Sequence, residues 1–225
     1  MTTRLCGVRG VVAAGALALS AALLPACNLL APFGAIAENI HHESSTTYEP
    51  EYSGLKGKTF AVIVTADRAT QAEYPAVVAR FATLIAKRIK EYESGTTGFI
   101  PGERVLQYQF DHPRWVSMTY EDLGKTLGVD RLIIVEMLEY RLVDPGNKYL
   151  WKGLSRCNVG VVEVDSALPD DMAFRKAVTV NFPDTDGYSP ADMSGDAVNT
   201  VLSNRMIDRV SWLFYTHDEA NKIKY

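Results

Sequence analysis

Leu132-Ile133-Ile134-Val135 is an unbroken apolar run at the head of a longer segment, Leu132 to Leu142, whose second half alternates Leu138 and Tyr140 with Glu139 and Arg141. A strand that is apolar on both faces has to lie inside a sheet covered on both sides. One that then alternates runs out toward solvent. Phe60 to Thr65 repeats the first signature in a shorter run rich in β-branched residues. A chain with two such segments is held to a layered fold in which helices cover a sheet.

The rest of the pattern supplies those helices. Val77, Val78, Phe81, Leu84, Ile85 and Ile89 fall on one stripe and predict the longest helix over Thr70 to Glu93. Two starts fit it: a capping box of Thr70 with Glu73, or a start near Tyr74 with Pro75 in the first turn. Lys87, Arg88 and Lys90 complement the dipole of its last turn, and Gly95 closes it. A loop punctuated by Gly95, Gly98, Pro101 and Gly102 then leads to a predicted second strand, Val105 to Phe110. A short helix follows, with Thr119 and Asp122 at its cap and Gly128 at its close.

Asp144-Pro145-Gly146-Asn147 is a turn joining the Leu132 strand to a long one near Trp151 to Val164. Ser166 to Asp171 connects this to a strand at Ala173 to Phe182, where Phe174, Val178, Val180 and Phe182 share a face. Ala197 to Tyr215 reads as a closing helix with Val198, Val201, Leu202, Met206, Val210 and Leu213 on its stripe. The order is β-α-β-α-β-β-β-α. It predicts an α/β (α+β) sandwich on a mixed sheet, its first strands parallel through right-handed crossovers and its C-terminal part an antiparallel meander.

Arg4 and Arg9 precede the uncharged apolar stretch Val11 to Leu24, and Leu24-Pro25-Ala26-Cys27 ends it. This is the layout of an export signal. The closing tetrapeptide resembles the lipobox of bacterial lipoproteins, whose signal peptide is cut before a cysteine that carries lipid. The resemblance implies removal of residues 1–26 and lipidation of Cys27 with three acyl chains, where two already suffice for stable attachment. Pro25 departs from the Ala, Ser, Thr or Val common at that position. Leu24 is larger than ordinary signal peptidase accepts three residues before its cut. Two other routes stay open: cleavage after Ala35-Ile36-Ala37, which releases a protein without lipid, and retention of residues 11–37 as an uncleaved span. An aspartate after the cysteine commonly holds such lipoproteins at the inner membrane, so Asn28 implies a periplasm-facing protein of the outer membrane.

Signal removal takes two arginines and no acid from a chain whose formal charge is −4. An acidic chain without a Lys/Arg cluster argues against nucleic acid, whose phosphates are held by such clusters, and against electrostatic docking to anionic lipid. Cys6 leaves with the signal and Cys27 is consumed by lipid, which leaves Cys157 with no internal bridge. Cys157 reads as a small buried side chain in a strand. Residues 27–57 read as a lipidated N-terminus and flexible tether, because Glu38 to Gly57 shows no helical or strand period. Thirty residues of coil span about 30 Å. Residues 58–216 then form a single domain and 217–225 a tail.

Catalytic patterns do not emerge. Thr65-Ala66-Asp67-Arg68-Ala69 lacks the glycines of a phosphate-binding loop, and no G-x-S-x-G elbow is present. His41, His42, His112 and His217 lack partner spacing for a metal or a base. Asp184-Thr185-Asp186-Gly187 opens like a calcium loop but places Gly195 where the twelfth position needs Glu. Glu136, between Val135 and Met137, is the odd residue. It is predicted either to pair across strands with Arg156 or Lys176, or to sit as a perturbed acid in a cleft. Trp151 and Trp212 divide between core anchors and a partner patch. No catalytic residue, cofactor or metal set follows.

A tether after a lipobox, the Phe60 strand feeding a long helix, the junction Leu127-Gly128-Val129-Asp130 and the meander ending in a helix together resemble small envelope lipoproteins. Their domains are of the curli-secretion-channel or penicillin-binding-protein-activator type, also similar to the N-terminal domain of the Tol-system periplasmic protein. The resemblance is in element order and transfers no single residue. It implies a non-enzymatic, lipid-anchored scaffold or accessory subunit that binds another periplasmic or outer-membrane protein through strand edges or meander loops. A periplasmic small-ligand carrier or sensor is the first alternative and requires a cavity with convergent polar groups. A subunit of a secretion pore is the second, and Lys152 and Arg156 on the face of Leu150 and Leu154 count against it. Mass spectrometry of the native amino terminus is expected to find acylated Cys27 first. Residue 38 first, or an unmodified sulfur, overturns the anchor.

Overall fold

A computed structural model of the chain describes residues 45–147 and 149–220. The signal peptide, Cys27, Asn28, His41 and His42 lie outside the described residues. Almost all described residues, 46–219, belong to one compact unit. Its core is a five-stranded sheet of order β3-β2-β4-β5-β6. The strands are β2 (Thr59–Ala66), β3 (Gly98–Phe99), β4 (Arg131–Arg141), β5 (Gly153–Glu163) and β6 (Met172–Phe182). β2 pairs in parallel with β3 and β4, while β4, β5 and β6 form an antiparallel meander. The sheet is open and mixed, as the element order predicts.

Two apolar layers sandwich it. On one face Phe60, Val62 and Val64 of β2 and Ile133 and Val135 of β4 pack with Phe81 and Ile85 of α2 (Val77–Tyr92) and with Leu202, Met206 and Val210 of α5 (Gly195–Ser211). On the other, Ala61, Ile63, Leu132 and Val162 meet Val105 of α3 (Gly102–Asp111) and Leu123 of α4 (Tyr120–Leu127). The caps are local. Thr119 accepts the Asp122 N–H at 3.1 Å to start α4, and Gly128 ends it in the left-handed conformation at φ 70°. Ser194 accepts the Ala197 N–H at 3.2 Å to start α5.

Three predicted elements differ. The long helix is two: Asp67, not Thr70, caps α1 (Arg68–Glu73), and α2 starts after Pro75. Proline offers no N–H and restricts the residue before it, so the helix breaks there. The predicted strand Val105 to Phe110 is helix α3, and the strand between the helices is the two-residue β3. The alternation of Leu106, Tyr108 and Phe110 with glutamines mimics a strand, yet Phe110 is 80 % exposed while Val105 is fully buried. Gly102 lets this helix start against the backbone of α2, since a Cβ there would stand 2.5 Å from the Ala82 carbonyl carbon.

The third difference concerns the predicted tether and tail. Ser45–Tyr48 (β1) and His217–Ala220 (β7) form a two-stranded sheet. Tyr52 and Leu55 belong to the main core. Side chains fix this segment to the near ends of β4 and β5. The Tyr52 hydroxyl donates to Glu163 at 2.8 Å, Arg131 Nε donates to the Gly54 carbonyl at 3.2 Å, and Lys58 pairs with Asp165. Arg131, itself buried, also pairs with Asp165. Lys58 and then Arg131 hold the Asp165 carboxyl below the usual carboxylate range. The folded unit therefore reaches back across residues 46–57. Leu55→Ala is expected to cost about 2–5 kcal/mol of stability in denaturant unfolding. A loss within about 0.5 kcal/mol, the scale of a surface substitution, would return the segment to a tether.

Candidate functional site

The site begins with which residues share a sheet face. On the face covered by α3 and α4, the β2–β4–β5–β6 register lines up three rows: Ala61, Leu132, Val162 and Met172; Ile63, Ile134, Gly160 and Arg175; Thr65, Glu136, Asn158 and Ala177. The first row is closed over by the helices. The third is open, and Glu136, Asn158 and Ala177 are exposed. Between them Gly160 and Ala177 keep the floor low. Met172 fills part of the space above Gly160, its sulfur 2.3 Å from where a Cβ would stand.

The wall comes from a 3-10 turn, Pro113–Ser117, and the start of α4. Trp115, Met118 and Tyr120 pack on the second apolar layer, while Val116 is 69 % exposed at the rim. The result is a groove of about 640 Å³ with an apolar floor and wall and with Glu136, Asn158 and Arg175 at its polar side. That volume is in the range of sites for drug-sized ligands. Among the described residues, the side chains of Glu136, Asn158 and Arg175 make no hydrogen bond or ion pair with protein.

Glu136 is therefore not a buried acid. It is exposed, and its predicted partners are engaged elsewhere: Arg156 with Glu139 at 3.9 Å across the strands, Lys176 with Glu51 at 2.8 Å. Glu136 pairs with Asn158, and a bulge between Met137 and Glu139 then shifts the register so that Glu139 rather than Leu138 stands opposite Arg156. Glu136 instead lines the groove.

The other singled-out residues sit in structural roles. Cys157 is fully buried beside the Met206 sulfur at 3.6 Å, and burial pushes its thiol up to about 12. Asp184 takes a two-pronged contact from Arg205 at 2.5 and 2.7 Å, and that guanidinium holds its carboxyl below the usual range. His112 stacks on Tyr108, and its Nδ1 lies 3.1 Å from the Tyr108 carbonyl oxygen. His217 stacks on Trp212 at 4.5 Å and approaches Glu219 at 3.1 Å. Trp151 anchors the loop before α5 by donating from Nε1 to the Met193 carbonyl at 2.8 Å. No group of three or more His, Cys, Asp or Glu placed to hold a metal occurs among the described residues.

Sequence reasoning missed Trp115, Asn158, Gly160 and Arg175. Gly160 was the available signal, since a glycine inside a long strand marks close approach or missing side-chain volume.

No protein-family model matches the sequence. No curated protein matches it either. Solved structures of similar chain path include the PelC dodecamer from Paraburkholderia phytofirmans, 11 % identical with a TM-score of 0.44, covering 76 % of this chain and 99 % of that one. Lipoprotein GNA1162 from Neisseria meningitidis is 9 % identical with a TM-score of 0.42, covering 68 % and 97 %. The hypothetical protein CT253 from Chlamydia trachomatis is 14 % identical with a TM-score of 0.41, covering 69 % and 96 %. At such identities and scores these likenesses transfer nothing to this chain.

The buried thiol yields a direct check. At pH 8 the native chain is expected to leave Cys157 unalkylated by iodoacetamide, with labelling appearing only in denaturant, because the raised pKa keeps the sulfur protonated and burial keeps the reagent out. Rapid labelling of the native protein would contradict that burial.

Proposed function

We propose that this chain is a non-enzymatic, lipid-anchored protein of the bacterial cell envelope whose α/β domain binds another envelope protein along the outer edge of β6. The observation that carries the reading is the asymmetry of the sheet edges. One edge strand, β3, has two residues; the other, β6, has eleven, and it is the last strand of the sheet. A long edge presents a row of backbone donors and acceptors to which an extended segment can add.

The chemistry of β6 narrows the partner. Met172–Phe182 carries Arg175, Lys176 (paired with Glu51) and no acid, and Ala173, Ala177, Thr179 and Asn181 are exposed along it. Pairing with a second copy of the same strand would place basic residues near one another, which disfavours self-association. An extended segment with acidic side chains fits instead. The lipobox-like Leu24-Pro25-Ala26-Cys27 supports the anchor, and an acidic chain without basic clusters is consistent with attachment by lipid rather than by surface charge. No helix among the described residues is long and apolar enough to cross a membrane.

Photo-crosslinking in cells tests the reading. A crosslinker at Thr179 or at Asn181 is expected to trap the same envelope protein, and one at Lys125 on α4 is expected to trap none. Absence of any adduct from both β6 positions, or equal adducts from all three, would sink it.

A further inference from the structure

We infer that the groove on the sheet's open face is a binding site for a short zwitterionic peptide with apolar side chains, held by Glu136 at its amino end and by Arg175 at its carboxyl end. The inference shares Arg175 with the partner reading but rests on the sheet face, where that reading rests on the β6 edge.

Three features of the groove select that ligand class. The first is its charge order. Glu136 on β4, Asn158 on β5 and Arg175 on β6 follow one another across three adjacent strands, all lining the groove. An acceptor-only carboxylate, an amide and a donor-only guanidinium stand in sequence. A peptide offers the complement in the same sequence: an ammonium, an amide bond and a carboxylate. Asn158 suits the middle because its side chain both donates to and accepts from a peptide group, and Arg175 suits the end because a guanidinium meets a carboxylate through two parallel bonds.

The second feature is length. Glu136 and Arg175 are two strands and one side-chain row apart, about 12 Å between Cα atoms at ordinary sheet spacings. Strand side chains stand roughly perpendicular to the sheet, so the two charged groups keep about that separation. Two extended residues, about 7 Å of chain, with a hydrogen bond of about 2.8 Å at each end span it. A single amino acid is too short to meet both groups at once.

The third is the apolar surface. Ile63, Ile134, Leu123, Met118, Tyr120 and Trp115 line the floor and wall, and Met172, seated over Gly160, adds a flexible thioether to the floor. Methionine and aromatic side chains adapt to varied apolar partners. Selection therefore acts on the two free termini more than on one particular side chain.

Calorimetric titration of the full-length chain with phenylalanyl-leucine, its N-acetyl form and its C-terminal amide provides the test. The free dipeptide is expected to bind. Blocking either terminus is expected to weaken binding about tenfold, the scale of one charge-assisted contact. Glu136→Gln should bind the N-acetyl and free forms alike, and Arg175→Gln should bind the amide and free forms alike. No binding by any form, or blocked forms that bind wild type as well as the free dipeptide, overturns the inference. Those arms need no variant, so they decide it even if a substitution perturbs the fold. Variants that discriminate the blocked forms as wild type does overturn it too. The β6 crosslinks are read separately, so failure of one reading is distinguishable from failure of the other.

Discussion

The parallel pairing of Phe60–Ala66 with Arg131–Met137 is the constraint from which the remaining architecture follows. Both strands bury side chains on both faces, so the pair exists only if something covers each face. Parallel neighbours need crossovers, and the crossovers supply the cover. β3 lies on one side of β2 and β4 on the other. Two right-handed crossovers leading in opposite directions run over opposite faces. That places α2 against Phe60, Val62 and Val64, and places α3 and α4 against Ala61 and Ile63.

The same logic explains why the groove exists and why it lies where it does. Past β4 the chain continues by antiparallel connections, which bring no crossover helix. The meander is therefore covered on one face by α5 and left bare on the other beyond the reach of α4. Bare sheet is usually polar, and the third row, Thr65, Glu136, Asn158 and Ala177, is polar or small. The groove marks the border at which helical cover ends, with Trp115 and Tyr120 as its last apolar contributors and Glu136 as the first residue beyond.

How much of this the sequence discloses depends on whether a signal is local or tertiary. Strands apolar on both faces announce themselves, because only a sheet interior tolerates them; β2 and β4 were legible to within a residue or two, and so was the meander. Gly128 and Thr119 were legible because capping is chemistry between neighbours in the chain. Val105 to Phe110 was not, since its alternation fits a strand and only the burial of Val105 against Ala61 and Ile63, far off in sequence, decides for a helix. Tyr52 and Leu55 were hidden likewise: two apolar residues in a polar stretch show no period, and their place in the core depends on Glu163, Arg131 and Leu213. Glu136 looked buried because its neighbours along the strand are. Its exposure is set by where α4 stops, which no window of sequence around Glu136 contains.

Position within the sheet adds to the case for the groove as a site. In open sheets with parallel strands, ligands sit beyond the carboxyl ends of those strands, next to the point where crossovers depart to opposite sides. Here that point is β2, and Thr65 and Glu136 stand at the end of its pairing with β4. Rows nearer the start of the strands are filled with Ala61, Leu132 and Val162 and give no room. The amino ends of β2 and β4 are instead closed by the Tyr52–Glu163 and Arg131–Asp165 contacts, which fasten the preceding segment to the domain. One end of the parallel pair is thus committed to holding the fold together. The other combines an open floor with free polar groups of both signs, which is the arrangement that a ligand bearing both charges requires.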